Sequence, residues 1–290
     1  MKTGRVVYIM GSGRSGSTVL EVLLANSPDA VGVGELSHVI EDGFIKNKKC
    51  SCGEEFRKCG FWGRIVARVE SERRDWERLN RILRGVEWHK GYWLTLLGLQ
   101  KKKVQCDYKE INEVLLDAIF EEGEGKYIID SSKYAGRALA LSQQRDIRVI
   151  CLLRSPSGLL NSFRKPNKEE QRPKSLVSLF LYYVYVTTSV RLAISRLPTQ
   201  VFKLNYEDLV KNPSRVLDEI SEFTELNLVD VKRKVEEKRM HTVGHLITAN
   251  RIRKSQYVTL NTKIEVKDRH TLIEKVLIFV MQMWAKLLRL

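Results

Sequence analysis

The sequence predicts an α/β fold, a P-loop-type parallel sheet flanked by helices, with a helical insertion after the second strand. Near the start, an apolar run is followed by a glycine-rich loop and an apolar-periodic stretch. Further short β-rich runs alternate with helical stretches, the pattern of a parallel sheet covered on both faces. A length of 290 residues with 43% hydrophobic content suffices for a substantial buried core. Ligands of such a sheet bind outside the carboxyl ends of its strands, so the residues that follow each strand are the candidates for function.

The first predicted strand, residues 6–10, leads into the loop Gly-Ser-Gly-Arg-Ser-Gly-Ser-Thr at residues 11–18, and a helix is predicted through residues 19–25. Backbone N–H groups of a glycine loop and the positive end of the following helix together bind phosphate. A turn with a helix N-cap is the alternative interpretation. The nucleotide-binding pattern G-x-x-x-x-G-K-[ST] is nearly present, but Ser17 stands in place of the lysine and Arg14 supplies a cation earlier. This displacement points away from ATP.

The other predicted strands are residues 30–33, 127–129, 149–153 and 201–204. Between the second and third strands, residues from about 44 to 105 contain cysteines, tryptophans and a mixed-charge pattern typical of helices. This pattern predicts a helical insertion. We expect the insertion to cap the site and to select the acceptor. No repeat or linker divides the chain, so residues 1–290 are predicted to form a single domain. A C-terminal helix is expected at residues 265–290.

A second group of candidate residues follows the strand at 149–153. Arg154 stands at its end, and Ser162 comes eight residues later on a predicted helix. A guanidinium and a hydroxyl in this arrangement suit a second phosphate. The alternatives are a surface ion pair for Arg154 and a solvated helix position for Ser162.

Together, the two motifs resemble the sulfotransferases that use 3′-phosphoadenosine 5′-phosphosulfate (PAPS), including their carbohydrate, tyrosylprotein and bacterial branches. The resemblance implies a P-loop-type fold and a sulfuryl transfer from PAPS to a hydroxyl or amine. It implies that the 5′-phosphosulfate is held by the first loop, at Arg14, Ser15, Gly16, Ser17 and Thr18. It also implies that Arg154 and Ser162 hold the 3′-phosphate.

Two shorter segments extend the resemblance. The run Asn-Tyr-Glu-Asp-Leu at residues 205–209 resembles a family segment and places Tyr206 near the adenine, with a packed aromatic as the alternative. The run Ile-Asp-Ser-Ser-Lys at residues 129–133 resembles a segment of bacterial members. It places Lys133 near sulfate or acceptor, and a solvated lysine is the alternative.

A third segment, residues 241–253, resembles the family loop that folds over the donor. Ala249 replaces the glycine expected there, which puts the tightness of the loop in question. Arg251 and Arg253 offer guanidiniums suited to bidentate phosphate contact, and Arg253 is the preferred candidate.

Sulfuryl transfer, like phosphoryl transfer, depends on positioning and on fixed positive charge near the departing phosphate, a charge for which Arg14 is the candidate. Glu35 ends the second strand beside the first loop, where it is placed to accept the acceptor proton. The carbohydrate and tyrosylprotein branches use a glutamate after this strand, and the resemblance implies the same role here. His38 is the rival base, and a helix-capping Glu35 is the other alternative. The chemistry requires no metal.

Fifty Lys and Arg against 35 Asp and Glu give a formal charge of +15, which favours an anionic partner. Basic residues concentrate at 164–174 and 232–254, where they either line a channel for an anionic glycan or lipid acceptor or form a solvated face. No groove-reading element or stacking aromatics indicate nucleic acid. The stretch 273–290 is expected to pack on the core or to contact an anionic membrane interface.

Five cysteines, an odd number in a chain without a visible export signal, predict a reducing compartment, here the cytoplasm. The spacing Cys50-x-Cys52-x₆-Cys59 is typical of a zinc knuckle but lacks a fourth ligand, which His38 or His89 would supply only through folding. Similar segments in relatives imply a structural clip or disulfide as readily as free thiols. No metal is predicted.

Two other functions remain open. A P-loop kinase or nucleotide hydrolase requires a loop lysine, which is missing, and a magnesium ligand, for which Asp130 is a candidate. A catalytically silent basic protein that binds membrane or glycan would tolerate substitution of Arg14 and Glu35. Neither the acceptor nor the oligomeric state is predicted by the sequence.

Overall fold

The computed structural model describes residues 4–70, 75–164, 175–248, 255–261 and 270–290. Its main sheet is parallel, with strand order β2-β3-β1-β4-β5. The strands are β1 (Arg5–Gly11), β2 (Ala30–Gly34), β3 (Tyr127–Lys133), β4 (Ile147–Leu153) and β5 (Val201–Asn205). A small antiparallel pair is formed by β6 (His241–Thr242) and β7 (Tyr257–Val258). Each predicted strand is present, and the predicted fold class is confirmed.

The α-helices of the described residues surround this sheet. They are α1 (Ser17–Ala25), α2 (Trp62–Val69), α3 (Trp76–Glu87), α4 (His89–Leu96), α5 (Lys102–Gly123), α6 (Ala135–Ser142), α7 (Pro156–Arg164), α8 (Leu176–Ile194), α9 (Tyr206–Lys211), α10 (Pro213–Thr224), α11 (Val229–Glu236) and α12 (Leu272–Leu287). Two 3₁₀ helices (Leu36–His38 and Phe56–Lys58) and a π-helix (Val39–Ile45) complete the set.

The central strand β1 shows why the strands of the sheet could be predicted from the sequence. Val6 and Tyr8 pack into the core on one face, whereas Val7 and Ile9 pack into the core on the other. Because helices cover both faces, every position of the strand after the half-exposed Arg5 is buried. The sequence of residues 6–10 is therefore a continuous apolar run rather than an alternating one.

The insertion after β2 is helical, as predicted, but longer. It begins directly after Glu35 with the first 3₁₀ helix and ends with α5 at Gly123, beyond the expected boundary near residue 105. The apolar positions Tyr108, Ile111, Leu115 and Ile119 of α5 recur every three or four residues and are buried, so this helix contributes one face to the core.

A buried polar network joins the insertion to the sheet. The Arg137 guanidinium contacts Asp130 Oδ2 at 2.7 Å, Glu87 Oε1 at 2.5 Å and Asn112 Oδ1 at 3.0 Å, and Tyr108 donates to Glu87 at 2.8 Å. Arg137 and both carboxylates are essentially inaccessible to water. The carboxylate of Asp130, the candidate magnesium ligand, is therefore engaged in the core.

The C-terminal helix α12 is amphipathic in its packing. Ile278 and Met281 are buried against α7 and α8, whereas Phe279, Val280 and Met283 are exposed. By length and composition α8 could cross a membrane. It packs against β1, α6 and α12.

Candidate active site

The first loop turns sharply into α1 at Gly16, whose φ of 92° lies in the left-handed region. A Cβ on Gly16 would lie 2.3 Å from the ring of Tyr206, so both the backbone and the close approach require glycine here. Gly16 caps α1 without a side-chain hydrogen bond. The first-turn N–H groups of α1 are thus not capped by a side chain and suit an anion.

Arg14, Arg154 and Ser162 meet at this loop. Arg14 Nε donates to Ser162 Oγ at 3.1 Å, and an Arg14 terminal nitrogen lies 3.3 Å from the Ser162 carbonyl oxygen. Arg154 donates to the Arg14 carbonyl oxygen at 3.0 Å. Residues 148 positions apart are thereby joined, and the surface ion pair considered for Arg154 is not formed among the described residues.

Two buried polar atoms at this place lack a partner. Within the described part of the chain, Thr18 Oγ1 and Arg154 Nε are buried and make no hydrogen bond. Such atoms cost roughly 1–3 kcal/mol each when unsatisfied. A ligand with anionic groups at the helix end and beside Arg154 would satisfy them, so the residues present fit a donor that carries both a 5′-phosphosulfate and a 3′-phosphate.

The loop after β4 is tied to the start of α9. Ser155 donates to the Glu207 carboxylate from its backbone N–H at 3.2 Å and from its hydroxyl at 2.6 Å. The Arg154 guanidinium lies 4.6 Å from the centroid of the Tyr206 ring. Tyr206 thus lies between Gly16 and Arg154, and its contact with adenine stays a prediction.

Glu35 lies at the carboxyl end of β2 and forms an ion pair with Lys133 at the end of β3. The two side chains are only 13% and 16% exposed, so the solvated interpretation of Lys133 is wrong. His38 Nε2 lies 3.9 Å from the same carboxylate. Glu35 precedes the 3₁₀ helix without capping it through its side chain, which contradicts the helix-capping alternative.

The backbone at Glu35 is fixed by a neighbouring segment. Gly34 has a φ of 79°, and a Cβ there would lie 2.1 Å from the Ile247 carbonyl oxygen. Glu35 N–H donates to that same oxygen at 3.1 Å. Ile247 therefore forms an isolated parallel bridge with Gly34, which holds the end of β2.

Glu21, on α1, binds the end of β2 through hydrogen bonds. This residue was not singled out from the sequence. Its carboxylate accepts from the N–H groups of Val33 and Gly34 at 3.0 and 2.6 Å and from Ser131 Oγ at 2.5 Å. Burial raises the pKa of Glu21 to about 8. The sequence pattern that could have identified Glu21 is that it is the one charged residue in the mostly apolar helix α1.

A cavity of about 600 Å³ opens in front of these groups. Its polar lining includes Arg14, Glu35, His38, Lys133, Asp42 and Lys48, and its aromatic lining includes His89, Tyr92, Tyr134, Phe163, Tyr182 and Tyr185. The Tyr182 hydroxyl accepts from the Gly13 N–H at 2.7 Å, and burial raises the pKa of Tyr182. Tyr182 could not be identified from the sequence because it lies among the apolar and aromatic residues of α8.

Several residues singled out from the sequence do not lie at this cavity or are outside the described residues. Ala249, Arg251 and Arg253 lie outside the described residues, as does most of the basic segment 164–174. The five cysteines are free. The histidine that approaches Cys50 and Cys59 is His245, and not His38 or His89 as considered from the sequence.

Known proteins give a consistent comparison. Residues 7–230 match the model of a family described as the sulfotransferase family. The sulfotransferase domain from the curacin biosynthetic pathway has a TM-score of 0.54 and 18% identity, over 99% of this chain and 98% of that one. Sulfotransferase STF1 from Mycobacterium tuberculosis H37Rv has a TM-score of 0.48 and 15% identity, over 80% of this chain and 70% of that one. No curated protein matches significantly.

Proposed function

The chain belongs to the sulfotransferase family, and from this premise we propose that it transfers the sulfuryl group of PAPS to a hydroxyl or amine of an acceptor. The proposal rests on the meeting of Arg14, Arg154 and Ser162 at the start of α1, which no side chain caps. Two guanidiniums and a hydroxyl around a helix N-terminus suit a donor with two separate anionic groups.

In the proposed reaction the acceptor oxygen or nitrogen bonds to sulfur while the bond between sulfur and the bridging phosphate oxygen breaks. The products are the sulfated acceptor and 3′-phosphoadenosine 5′-phosphate, and the acceptor proton passes to Glu35. Negative charge grows on the departing phosphate, which favours a fixed cation there, and Arg14 is placed on the loop to supply it. None of these steps requires a metal ion.

Glu35 is the base that the geometry favours over His38. Both line the cavity, but only Glu35 combines a position at the strand end with a direct ion pair to Lys133. That ion pair and the bond from its own N–H to Ile247 hold the carboxylate at the edge shared with the first loop. A base held in place in this way meets the geometric requirement of proton transfer.

The kinase or hydrolase alternative has less support. The loop lacks the lysine of nucleotide triphosphatases. Asp130, the candidate magnesium ligand, is fully buried and paired with Arg137. A silent binding protein would have no need of a paired Glu35 and Lys133 inside a cavity.

We infer that the acceptor presents a ring, either a sugar or an aromatic group, to the cavity. A volume of about 600 Å³ is typical of sites for small molecules or for one unit of a larger one. His89 contacts both Tyr134 and Tyr185 edge to face, so the wall is a continuous aromatic surface on which a ring can stack. Screening sulfation of phenols, glycosides and aliphatic alcohols of similar size tests this, and a preference for the aliphatic alcohols would contradict it.

We also propose that the exposed side of α12 contacts an anionic membrane surface while the protein works in the cytoplasm. Phe279, Val280 and Met283 form an apolar side near the basic Lys286 and Arg289. Flotation with vesicles containing anionic lipid should carry the protein upward, and Phe279→Glu should weaken this. Equal flotation of the two proteins would contradict the proposal.

Donor identity is the decisive experiment for the proposed function. The melting temperature is followed during titration with 3′-phosphoadenosine 5′-phosphate, ATP or ADP, each with and without magnesium. Stabilisation by the 3′,5′-bisphosphate without magnesium supports the proposal. A response to ATP with magnesium alone would overturn it, and no response to any nucleotide would favour the silent binding protein.

A further inference from the structure

Three cysteines of the insertion and one histidine from the segment after α11 form a cluster outside the cavity. Cys50 and Cys59 are buried, Cys52 is exposed at the rim, and His245 is half-buried. None of the four lines the cavity. The sequence offered three ligands at a zinc-like spacing, and folding brings the fourth from almost 200 residues away.

The distances in this cluster match a tetrahedral metal site. Cys59 Sγ lies 3.2 Å from His245 Nδ1, Cys52 Sγ lies 3.6 Å from Cys59 Sγ, and Cys50 Sγ lies 3.8 Å from His245 Nδ1. The four candidate ligand atoms all lie within 4.8 Å of one another. Metal–sulfur bonds of about 2.3 Å in a tetrahedron give sulfur–sulfur edges of about 3.8 Å. We propose that Cys50, Cys52, Cys59 and His245 bind a zinc ion.

The local backbone is shaped for such a site. Gly53 N–H donates to the Cys50 carbonyl oxygen at 3.0 Å, and Gly53 has a φ of 95°. Cys50 N–H donates to the Glu54 carbonyl oxygen at 2.8 Å, which closes a tight turn around the first two cysteines. Cys59 follows on a separate turn just before α2. Two turns that present thiols to one point are the arrangement of a zinc knuckle.

Contacts around the histidine hold it in place. Trp62 Nε1 donates to the His245 carbonyl oxygen at 2.7 Å, and the Phe61 ring stacks on the imidazole with centroids 5.5 Å apart. Ser51 Oγ donates to the Gly244 carbonyl oxygen and accepts from the Leu246 N–H, both at 2.7 Å. Outer contacts of this kind orient metal ligands and are part of a site's affinity.

The ligand set favours zinc over other common ions and favours a structural role. Thiolates and imidazole suit zinc, whereas magnesium and calcium take oxygen ligands. Four protein ligands leave no open position, which distinguishes structural from catalytic zinc sites. A disulfide between two of the cysteines would explain neither the third thiol nor the histidine at the same point.

The site would tie the insertion to the segment that positions the candidate base. Two residues after His245, Ile247 N–H donates to the Val33 carbonyl oxygen at 3.3 Å, and the Ile247 carbonyl oxygen accepts from Glu35. A zinc ion at the cluster would therefore clamp residues 50–59 to the edge of the sheet beside Glu35. The inference does not depend on the proposed donor or acceptor, because it concerns metal binding alone.

The test uses the full chain, expressed in zinc-supplemented medium and purified under reducing conditions. Elemental analysis is expected to find about one zinc per chain, and cobalt exchanged into the site should give the thiolate charge-transfer and visible bands of a tetrahedral ion. Cys59→Ser and His245→Ala should each lower the metal content at least several-fold. The matched control Cys106→Ser removes an exposed cysteine outside the cluster and should keep it.

Three outcomes would overturn the inference. One is wild-type protein with five reactive thiols after denaturation but neither zinc nor a cobalt spectrum. Another is a disulfide within residues 50–59 in protein isolated without reductant and quenched with an alkylating agent. The third is equal loss of metal in Cys106→Ser. Because the wild-type measurements decide alone, failure of a cluster variant to fold leaves the test intact.

Discussion

The Lys133 ammonium and the Glu35 carboxylate form an ion pair that joins the carboxyl ends of the neighbouring strands β3 and β2. Lys133 reaches this position through a left-handed backbone conformation, with φ of 72°. Strained residues of this kind tend to cluster at functional sites, and both Lys133 and Glu35 line the cavity. The pair is thus a specific feature of the cavity rather than a chance surface contact.

Glu35→Gln is expected to lower the release of 3′-phosphoadenosine 5′-phosphate from PAPS, in the presence of acceptor, by roughly 10²-fold or more. Glutamine keeps the shape of the side chain but cannot take the acceptor proton. Nucleotide affinity, measured by calorimetry, should change little. Glu219, which is partly exposed and pairs with Arg215 on the surface of α10, is changed to glutamine as the control. A larger loss in His38→Asn than in Glu35→Gln would identify the histidine as the base.

Arg154→Ala is expected to weaken binding of 3′-phosphoadenosine 5′-phosphate by roughly 10- to 100-fold, the size of a lost charge-assisted hydrogen bond. Arg154→Lys should recover part of the affinity because the charge remains. Arg148 lies on the same strand but pairs with Asp146 at the surface, so Arg148→Ala serves as the control in calorimetric titrations. Equal losses in the two alanine variants would argue against a phosphate contact at Arg154.

Gly16→Ala should reduce nucleotide binding and lower the melting temperature. The added Cβ would overlap the Tyr206 ring and would meet a backbone with positive φ. At Gly60 a Cβ meets no atom within 4 Å and φ is ordinary, so Gly60→Ala is the matched control in melting and binding experiments. Unchanged binding in Gly16→Ala would show that the loop tolerates another conformation.

The sheet and the first loop could be predicted because their signals are local. Strands buried on both faces are continuous apolar runs, and the loop between β1 and α1 carries its glycines and Arg14 within eight residues. Arg154 and Ser162 were likewise singled out from their spacing, and their contact with a 3′-phosphate stays a prediction. The contact between Arg14 and Ser162 could not be predicted from a local pattern. It depends on the pairing of β1 with β4.

The parts that could not be predicted depend on contacts distant in the chain. Tyr182 meets Gly13 across 169 residues, and His245 meets Cys59 across 186. The sequence around a tyrosine in an apolar helix, or around a histidine in a loop, does not indicate which distant residue the side chain will contact. Lys133 was read as a residue near the acceptor, and its actual partner Glu35 follows only from the pairing of β2 with β3.

Arg137→Met is expected to lower the free energy of unfolding by about 3–5 kcal/mol, because it leaves two buried carboxylates without their cation. Asp130 and Glu87 would then share a pocket closed to water. Arg215→Met, which breaks an exposed pair with Glu219 on α10, should cost only about 0.3–0.5 kcal/mol. Denaturant unfolding measures both, and similar losses would contradict the importance of the buried network.

Glu21 is expected to make the stability of the folded protein depend on pH. Burial raises the pKa of Glu21 from about 4.5 to about 8 in the folded protein. Between these values the folded state binds more protons than the unfolded state, so stability falls as the pH rises through this window. The destabilisation is absent below pH 4.5 and complete above pH 8. Its upper limit is roughly 5 kcal/mol, and water drawn to the charged group would reduce it.

Glu21→Gln should therefore change the shape of the stability profile rather than shift it uniformly. Glutamine has no charge to bury, and its carbonyl oxygen can still accept from the N–H groups of Val33 and Gly34, while its amide can donate to Ser131. The variant and the wild type should be close in unfolding free energy near pH 5, and the variant should gain on the wild type up to pH 9. Glu219→Gln should follow the wild type throughout. If the difference between Glu21→Gln and wild type stays constant from pH 5 to 9, Glu21 does not hold a proton in the folded protein, and the end of β2 would rest on a buried carboxylate charge compensated by its three hydrogen-bond donors.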